Sequence, residues 1–244
     1  MKKIFKNKVV FITGASGNIG LAISKNFITN GARVILQYNK GNNDFKRFCI
    51  KNSASIIKKL KINLENESDL EIKIKSRISI KKKIDFLINS AAVASGSIFE
   101  MTHISNIKKI FQINFFSQLK IIQLIIKHMK KSDNASICNI GSISGIIPQK
   151  GNISYGTSKS ALIFATKILS KELSIYNIRV NAIAPGVVTS RMADMMDKKV
   201  REKTVKDSPL GRELKPFEVA KKVIFISSDN AKKINGQILK IDRK

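Results

Sequence analysis

Short runs of β-branched and aromatic residues recur along the chain, separated by stretches in which apolar residues return every three or four positions. Val9 to Thr13 is the first run, and beyond a glycine turn Ile19, Ala22, Ile23 and Phe27 repeat at helical spacing. Strand, turn and helix are predicted there. Asn30-Gly31 ends the helix, and Arg33 to Gln37 makes a second strand. Further strands are expected at Ile56 to Ile62, Ile84 to Ile88, Ala135 to Ile140, Arg179 to Ala184 and Gln237 to Ile241. Helical patterns lie between them at about 65–80, 104–130, 154–176 and 216–228. Strands alternating with helices predict an α/β fold: one Rossmann-type, doubly wound parallel sheet of about seven strands with helices on both faces. No repeat, linker or composition break divides the chain, so residues 1–244 read as a single domain. The less regular stretch 186–214 follows a strand, where open α/β sheets bind ligands, and is expected to be a substrate loop.

Composition agrees with a packed domain: of 244 residues 43% are apolar and 25% charged. Charge adds a complication. Lys and Arg number 45 against 17 acidic residues, a formal +28 that raises nucleic acid or an anionic membrane as partners. The charge is spread from Lys2 to Lys244, mostly as Lys, beside abundant Ile and Asn, and all three have A+T-rich codons. Compositional drift is the plainer reading. Nucleic-acid binding would also want stacking platforms, yet Trp is absent and Tyr occurs three times. Cys49 and Cys138 make no disulfide framework, and Cys138 reads as a small buried hydrophobe. The apolar run Val9 to Ile12 is too short for a signal-peptide core, and Ile121 to Ile126 is far too short to span a bilayer. A cytoplasmic protein without membrane insertion is expected. His103 and His128 are too few for a metal centre and are expected on helix surfaces, so no metal is expected.

Thr13-Gly14-Ala15-Ser16-Gly17-Asn18-Ile19-Gly20 lies between the first strand and helix, where a pyrophosphate would meet free N–H groups and the positive helix end. Gly14 allows the tight turn, Gly17 the approach of phosphate, and Gly20 the packing of helix on strand. Such folds usually carry an acidic residue about 20 positions on, at the end of the second strand, to bind ribose hydroxyls. Gln37-Tyr38-Asn39-Lys40 stands there instead. Nothing would repel a 2′-phosphate, and Lys40 could pair with one, unless it is simply another solvated lysine.

Tyr155 and Lys159, four residues apart, share one helix face. The ammonium is expected to lower the phenol's pKa towards neutrality, which suits a general acid/base. Ser142, thirteen residues before Tyr155, follows a strand and could donate a hydrogen bond to a carbonyl oxygen.

With these motifs in order, the chain resembles the short-chain dehydrogenase/reductase family over essentially its whole length. Those already described are joined by Asn63-Leu64, by Asp85 through Asn89-Ser90-Ala91-Ala92, by Asn114, and by Asn181 through Pro185-Gly186. The closing stretch, Ser208 through Arg212 and Phe217 to Gln237, resembles the branch of 3-oxoacyl-[acyl-carrier-protein] reductases and many sugar or polyol dehydrogenases. The resemblance implies that Tyr155 exchanges a proton with the substrate oxygen, Lys159 binds the nicotinamide ribose, Ser142 polarises the carbonyl and Asn114 positions a water leading from Lys159 to solvent. It also implies that Asn89 and Ala91 line the cofactor, Asn63 and Leu64 flank adenine, and Pro185, Gly186, Val188 and Ser190 surround the carboxamide. Departures are Asn18 where the family has a glycine, Asn89-Ser90-Ala91-Ala92 in place of Asn-Asn-Ala-Gly, and a C-terminus without paired glycines. The expected activity is hydride transfer between NADP(H), preferred over NAD(H), and a carbonyl, most simply a 3-oxoacyl thioester on acyl carrier protein. Alternatives are a sugar, sugar-nucleotide or polyol dehydrogenase, or a non-catalytic nucleotide-binding or nucleic-acid-binding protein. A homo-oligomer, tetramer or dimer, is expected through the long helices carrying Phe111, Phe115, Phe116, Leu162 and Phe164.

Overall fold

The computed structural model describes residues 3–79 and 81–242. Its strands are β1 (Val9–Ile12), β2 (Arg33–Tyr38), β3 (Ile56–Lys61), β4 (Phe86–Asn89), β5 (Ala135–Ile140), β6 (Ile178–Pro185) and β7 (Ile238–Ile241). They form one sheet in the order β3-β2-β1-β4-β5-β6-β7, every pair parallel. All residues of β1, β4, β5 and β6 are buried. Strands covered on both faces must be apolar on both, which is why they read as continuous runs without alternation.

The helices α1 (Asn18–Thr29), α2 (Asn43–Lys51) and α9 (Pro216–Ser227) belong to one face, where Val10, Ile12, Phe27, Phe48, Val219 and Val223 share a core. On the other face α3 (Glu67–Arg77) and α5 (Ser117–Met129) bury Leu70, Ile74, Ile121 and Ile125 against Phe11, Leu87 and Val180. The helix α6 (Ile153–Glu172) follows β5 and leads into β6. Strand order reverses at β1, which lies between β2 and β4, so the crevice beyond the carboxyl ends of β1 and β4 is where this topology binds ligands.

Several expectations change. The region 104–130 is not one regular helix: α4 (Ile104–Phe111) and α5 are joined by a π turn at Gln112–Phe116. The less regular stretch 186–214 contains two short helices, α7 (Arg191–Asp194) and α8 (Lys198–Lys206). Neither shows as periodicity, because α7 is a single turn and α8 buries no residue. The helix α2 was not expected, although Phe45, Phe48 and Cys49 stand at helical spacing, because three positions make a short pattern. It buries only Phe45, Phe48 and Cys49 and is started by Asn42, whose side chain accepts from Phe45 N at 2.8 Å. His128 is buried, not solvated; its Nδ1 lies 2.9 Å from the Lys82 carbonyl, and burial lowers its pKa. His103 is exposed beside the start of α4. Cys138 is buried as expected, its thiol pushed up to about 12 by burial. Among the described residues no helix is long and apolar enough to cross a membrane, and no group of three His, Cys, Asp or Glu could hold a metal ion.

Candidate active site

The glycine turn is built by backbone approaches that exclude side chains. Gly14 has φ +62°, its N–H donates to Gln37 Oε1 at 2.9 Å, and a Cβ there would stand 2.6 Å from Ala91 Cα. A Cβ on Gly20 would stand 2.3 Å from the Gly14 carbonyl oxygen. Gly17 is different: its backbone is extended, with φ −76°, and it precedes α1 without any side chain capping the helix. The first N–H groups of α1 are therefore left to whatever approaches from the crevice, which suits an anion. Asn18 is the first helical residue and has no left-handed backbone that would demand glycine. Its Oδ1 instead accepts from Arg191 N at 3.4 Å, joining the turn to α7. Ser16 is half-buried, and its carbonyl accepts from Asn42 Nδ2 at 3.1 Å. Ile19 packs against the core beneath.

Thr13 faces the protein. Its Oγ1 accepts from Ser90 N at 2.9 Å and Ala91 N at 3.0 Å and donates to Gln118 Oε1 at 3.3 Å, so it fastens the loop after β4 against the glycine turn. Asn89 is buried and donates from Nδ2 to Asn139 Oδ1 at 2.8 Å, while its own Oδ1 has no protein partner. At the end of β2, Tyr38 packs its ring on Phe45, 4.9 Å between centroids, and Lys40 is exposed in the loop that Asn42 ties to Ser16. Asn63 is exposed and accepts from Glu65 N at 3.2 Å, whereas the Leu64 side chain is buried in the core. Only the backbone of Leu64 can face a ligand. After Pro185, Gly186 N donates to Ile241 O at 3.0 Å, and Val188 is buried beside Leu214. The Ser190 hydroxyl donates to Val188 O at 2.9 Å and accepts from Ala193 N at 3.2 Å, starting α7. The segment is further closed by Arg201, which binds Glu213 at 2.6 and 2.9 Å and Asp194 at 2.8 Å. The crevice thus fits a dinucleotide: an uncapped helix end, glycines where a Cβ would intrude, and an orphaned amide oxygen at the floor.

Ser142, Tyr155 and Lys159 come together beyond β5. Ser142 leaves the strand in an extended conformation, and its Oγ accepts from Ser144 N at 3.2 Å. Tyr155, half-buried, lies in the first turn of α6 within electrostatic reach of the Ser142 side chain. Lys159 follows one turn later and is only 2% exposed, with Nζ donating to Ile140 O at 2.7 Å and lying 5.8 Å from the centre of the Tyr155 ring. The expected lowering of the phenol's pKa is not found. Burial raises it, with the Ser142 side chain opposing, and burial drives the Lys159 ammonium down to about 7. The enclosure that unites the two side chains also strips the water that would stabilise either charge.

Asn114 lies in the π turn, a distortion often found at functional sites. Its amide clasps the Val93 backbone, accepting from N and donating to O at 2.9 Å each, and donates to Ser158 Oγ at 3.0 Å. Ser158 in turn donates to the Tyr155 carbonyl at 2.8 Å. Both polar atoms of the Asn114 side chain are thereby engaged. Gln118, Asn139 and Ser158, which hold these loops in place, carry no motif in the sequence, and Gln37 stands out there only for the missing acid. Their signal was faint: Gln37 and Asn139 are polar residues inside otherwise apolar strand runs. A groove of about 300 Å³ runs beside the start of α6, lined by Phe99, Ile146, Pro148, Gln149 and Ile153 among others. A larger cavity of about 560 Å³ lies between α8 and Gly211 to Glu213 and touches none of these catalytic candidates.

A phenol and a buried lysine at the mouth of a nucleotide crevice are the equipment of an enzyme that moves hydride and proton between an alcohol and a carbonyl. The comparisons with known proteins agree. The family model described as enoyl-(acyl carrier protein) reductase matches residues 14–243. The 3-oxoacyl-[acyl-carrier-protein] reductase FabG of Thermotoga maritima is 31% identical over 241 residues, 97% of each chain. That of Rickettsia felis is 34% identical over 239 residues, 96% of this chain and 95% of its own. Among solved structures, the active-site complex of RhlG with NADP from Pseudomonas aeruginosa superposes with a TM-score of 0.89 at 27% identity, covering 99% of this chain and 98% of its own. This chain belongs to the short-chain dehydrogenase/reductase family, a family of nicotinamide-dependent oxidoreductases.

Proposed function

We propose that the protein reduces a carbonyl at the expense of NADPH, with a 3-oxoacyl thioester on acyl carrier protein as substrate. The observation that carries the reading is the assembly of Ser142, Tyr155 and Lys159 at the rim of the crevice; the substrate follows the relatives, which are named for that activity. The nicotinamide, when bound, supplies the hydride. Ser142 donates a hydrogen bond to the carbonyl oxygen, and Tyr155 gives that oxygen its hydroxyl proton as negative charge develops there. Lys159, when protonated, stabilises the phenolate left behind. Asn114 is a positioning residue, holding the Tyr155 turn through Ser158.

In this reading the α1 end with Gly17, Asn18 and Ile19 takes the pyrophosphate, and Ser16 and Lys40 take the 2′-phosphate. Asn63 and the Leu64 backbone flank adenine. Asn89, Ala91 and the 185–190 segment enclose the nicotinamide end, with Val188 and Ser190 at its carboxamide. Residues 1–244 act as one domain in the cytoplasm, with α7 and α8 as its substrate lid. A tetramer or dimer of identical chains forms through the π turn, α5 and α6, where Phe116 of the turn is 51% and Phe164 of α6 65% exposed. Leu162, by contrast, is core.

The decisive assay follows NADPH absorbance with acetoacetyl thioesters, keto-sugars and simple ketones. Thioester turnover is expected to dominate, and Tyr155→Phe is expected to lower kcat by about 10²–10⁴-fold with NADPH affinity within a few-fold. A variant within tenfold of the parent would remove Tyr155 from its role, and a preference for keto-sugars would replace the substrate.

A further inference from the structure

Five buried side-chain atoms have no protein partner among the described residues, and four of them belong to one corner of the fold: Arg179 Nε and Nη2, Ser136 Oγ and Ser227 Oγ. That corner is at the amino ends of β5 and β6, opposite the nucleotide crevice. The strand register pairs Ser136 with Arg179. Both lie on the face that carries Cys138 and Ile140 in the core shared with α9. Ser227 is the last residue of α9, and Arg179 Nη1 donates to the carbonyls of Ile226 at 3.0 Å and Ile234 at 3.1 Å. The guanidinium is thus held against the end of α9, which closes with Ser227, and Ser136 is the register partner of Arg179 on the neighbouring strand. Ser136, Ser227 and Arg179 are 0%, 1% and 6% exposed.

A guanidinium carries five N–H donors and no acceptor. Two carbonyls engage Nη1, while the N–H groups on Nε and Nη2 find no acceptor in the protein. The nearby Asp229 acts on Arg179 only through space; its carboxylate is exposed and accepts from Asn134 Nδ2 at 2.7 Å. A buried cation without a bonded counter-charge is costly, and burial accordingly depresses its pKa. We propose that Arg179, Ser136 and Ser227 form an internal binding site for a small monovalent anion of the halide class. Water could fill the same corner, but it brings no charge and only two lone pairs. A monatomic anion would accept from the guanidinium and the hydroxyls and would neutralise the cation. The ion would tie β5, β6 and α9 together at the end of the sheet away from the chemistry, so the proposal stands whatever the substrate.

Two measurements on the full chain test it. In crystals grown with sodium bromide, an anomalous peak is expected within about 3.5 Å of Arg179 Nη2. In solution, replacing gluconate by chloride at constant ionic strength is expected to raise the unfolding midpoint by about 3–6 °C at tenfold excess over Kd. The double variant Ser136→Ala, Ser227→Ala keeps the arginine but removes two donors, and is expected to lose most of that rise. An equal rise in parent and variant, no rise in the parent, or density in the corner without anomalous signal, meaning a water, would each overturn the site.

Discussion

Gly14→Ala tests whether the glycine turn is built by close approach or merely by turn preference. Two independent costs apply. The residue has φ +62°, and an L side chain in that region is strained by about 1–2 kcal/mol. Its Cβ would also sit 2.6 Å from Ala91 Cα and 2.8 Å from Ala91 N, contacts that only a shift of backbone can relieve. Overpacking of that kind adds about 1–3 kcal/mol. For a chain of this size each kcal/mol lowers the melting point by about 2–4 °C, so a fall on the order of 5–15 °C is expected. Gly211→Ala is the control: φ is +67°, with nothing within 4 Å of the added Cβ, so only the conformational cost applies. Adding Ala91→Gly to Gly14→Ala should not restore stability, because the clash is with the Ala91 backbone. Urea and thermal melts of the four proteins decide the matter. If Gly14→Ala melts together with Gly211→Ala, or if Ala91→Gly rescues it, the close approach is not what demands glycine.

Lys40→Ala is expected to weaken NADPH binding about five-fold, as a partly exposed ion pair allows, and to leave NADH binding almost unchanged; titration with both cofactors checks it, and equal loss for both would show that Lys40 does not read the 2′-phosphate. His128 has its folded pKa depressed by burial, so the unfolded chain takes up the proton first as pH falls. Its contribution should be intact above the ordinary value of about 6.5 and lost as pH drops through it. Urea midpoints should therefore decline from pH 7 to 5.5, less steeply in His128→Gln, and parallel slopes would refute the assignment. Arg201→Gln severs the bonds to Glu213 and Asp194. Faster trypsin cleavage within α8 at nearly unchanged global melting is the expected sign that this arginine closes the 186–214 segment.

The alternation of strands and helices, the glycine turn at the β1–α1 junction and the placing of Tyr155 and Lys159 on one helix face were legible in the sequence because each is local. Strand burial shows in runs such as Val9–Ile12, and a spacing of four is a helix face by geometry alone. The helix α8, which buries nothing, left no such trace, and α2 left only the three positions Phe45, Phe48 and Cys49. The long-range links belong to tertiary structure: Thr13 reaches Ser90, Ala91 and Gln118, and Asn114 clasps Val93 and Ser158. The protonation behaviour of the site was likewise beyond local pattern. Sequence spacing suggested that Lys159 would lower the Tyr155 pKa, but burial set both shifts, raising the phenol and lowering the ammonium. The same holds for His128, whose helix position looked exposed and whose ring is buried against the Lys82 carbonyl. Periodicity records which face a residue occupies, whereas desolvation depends on what distant segments lay over that face.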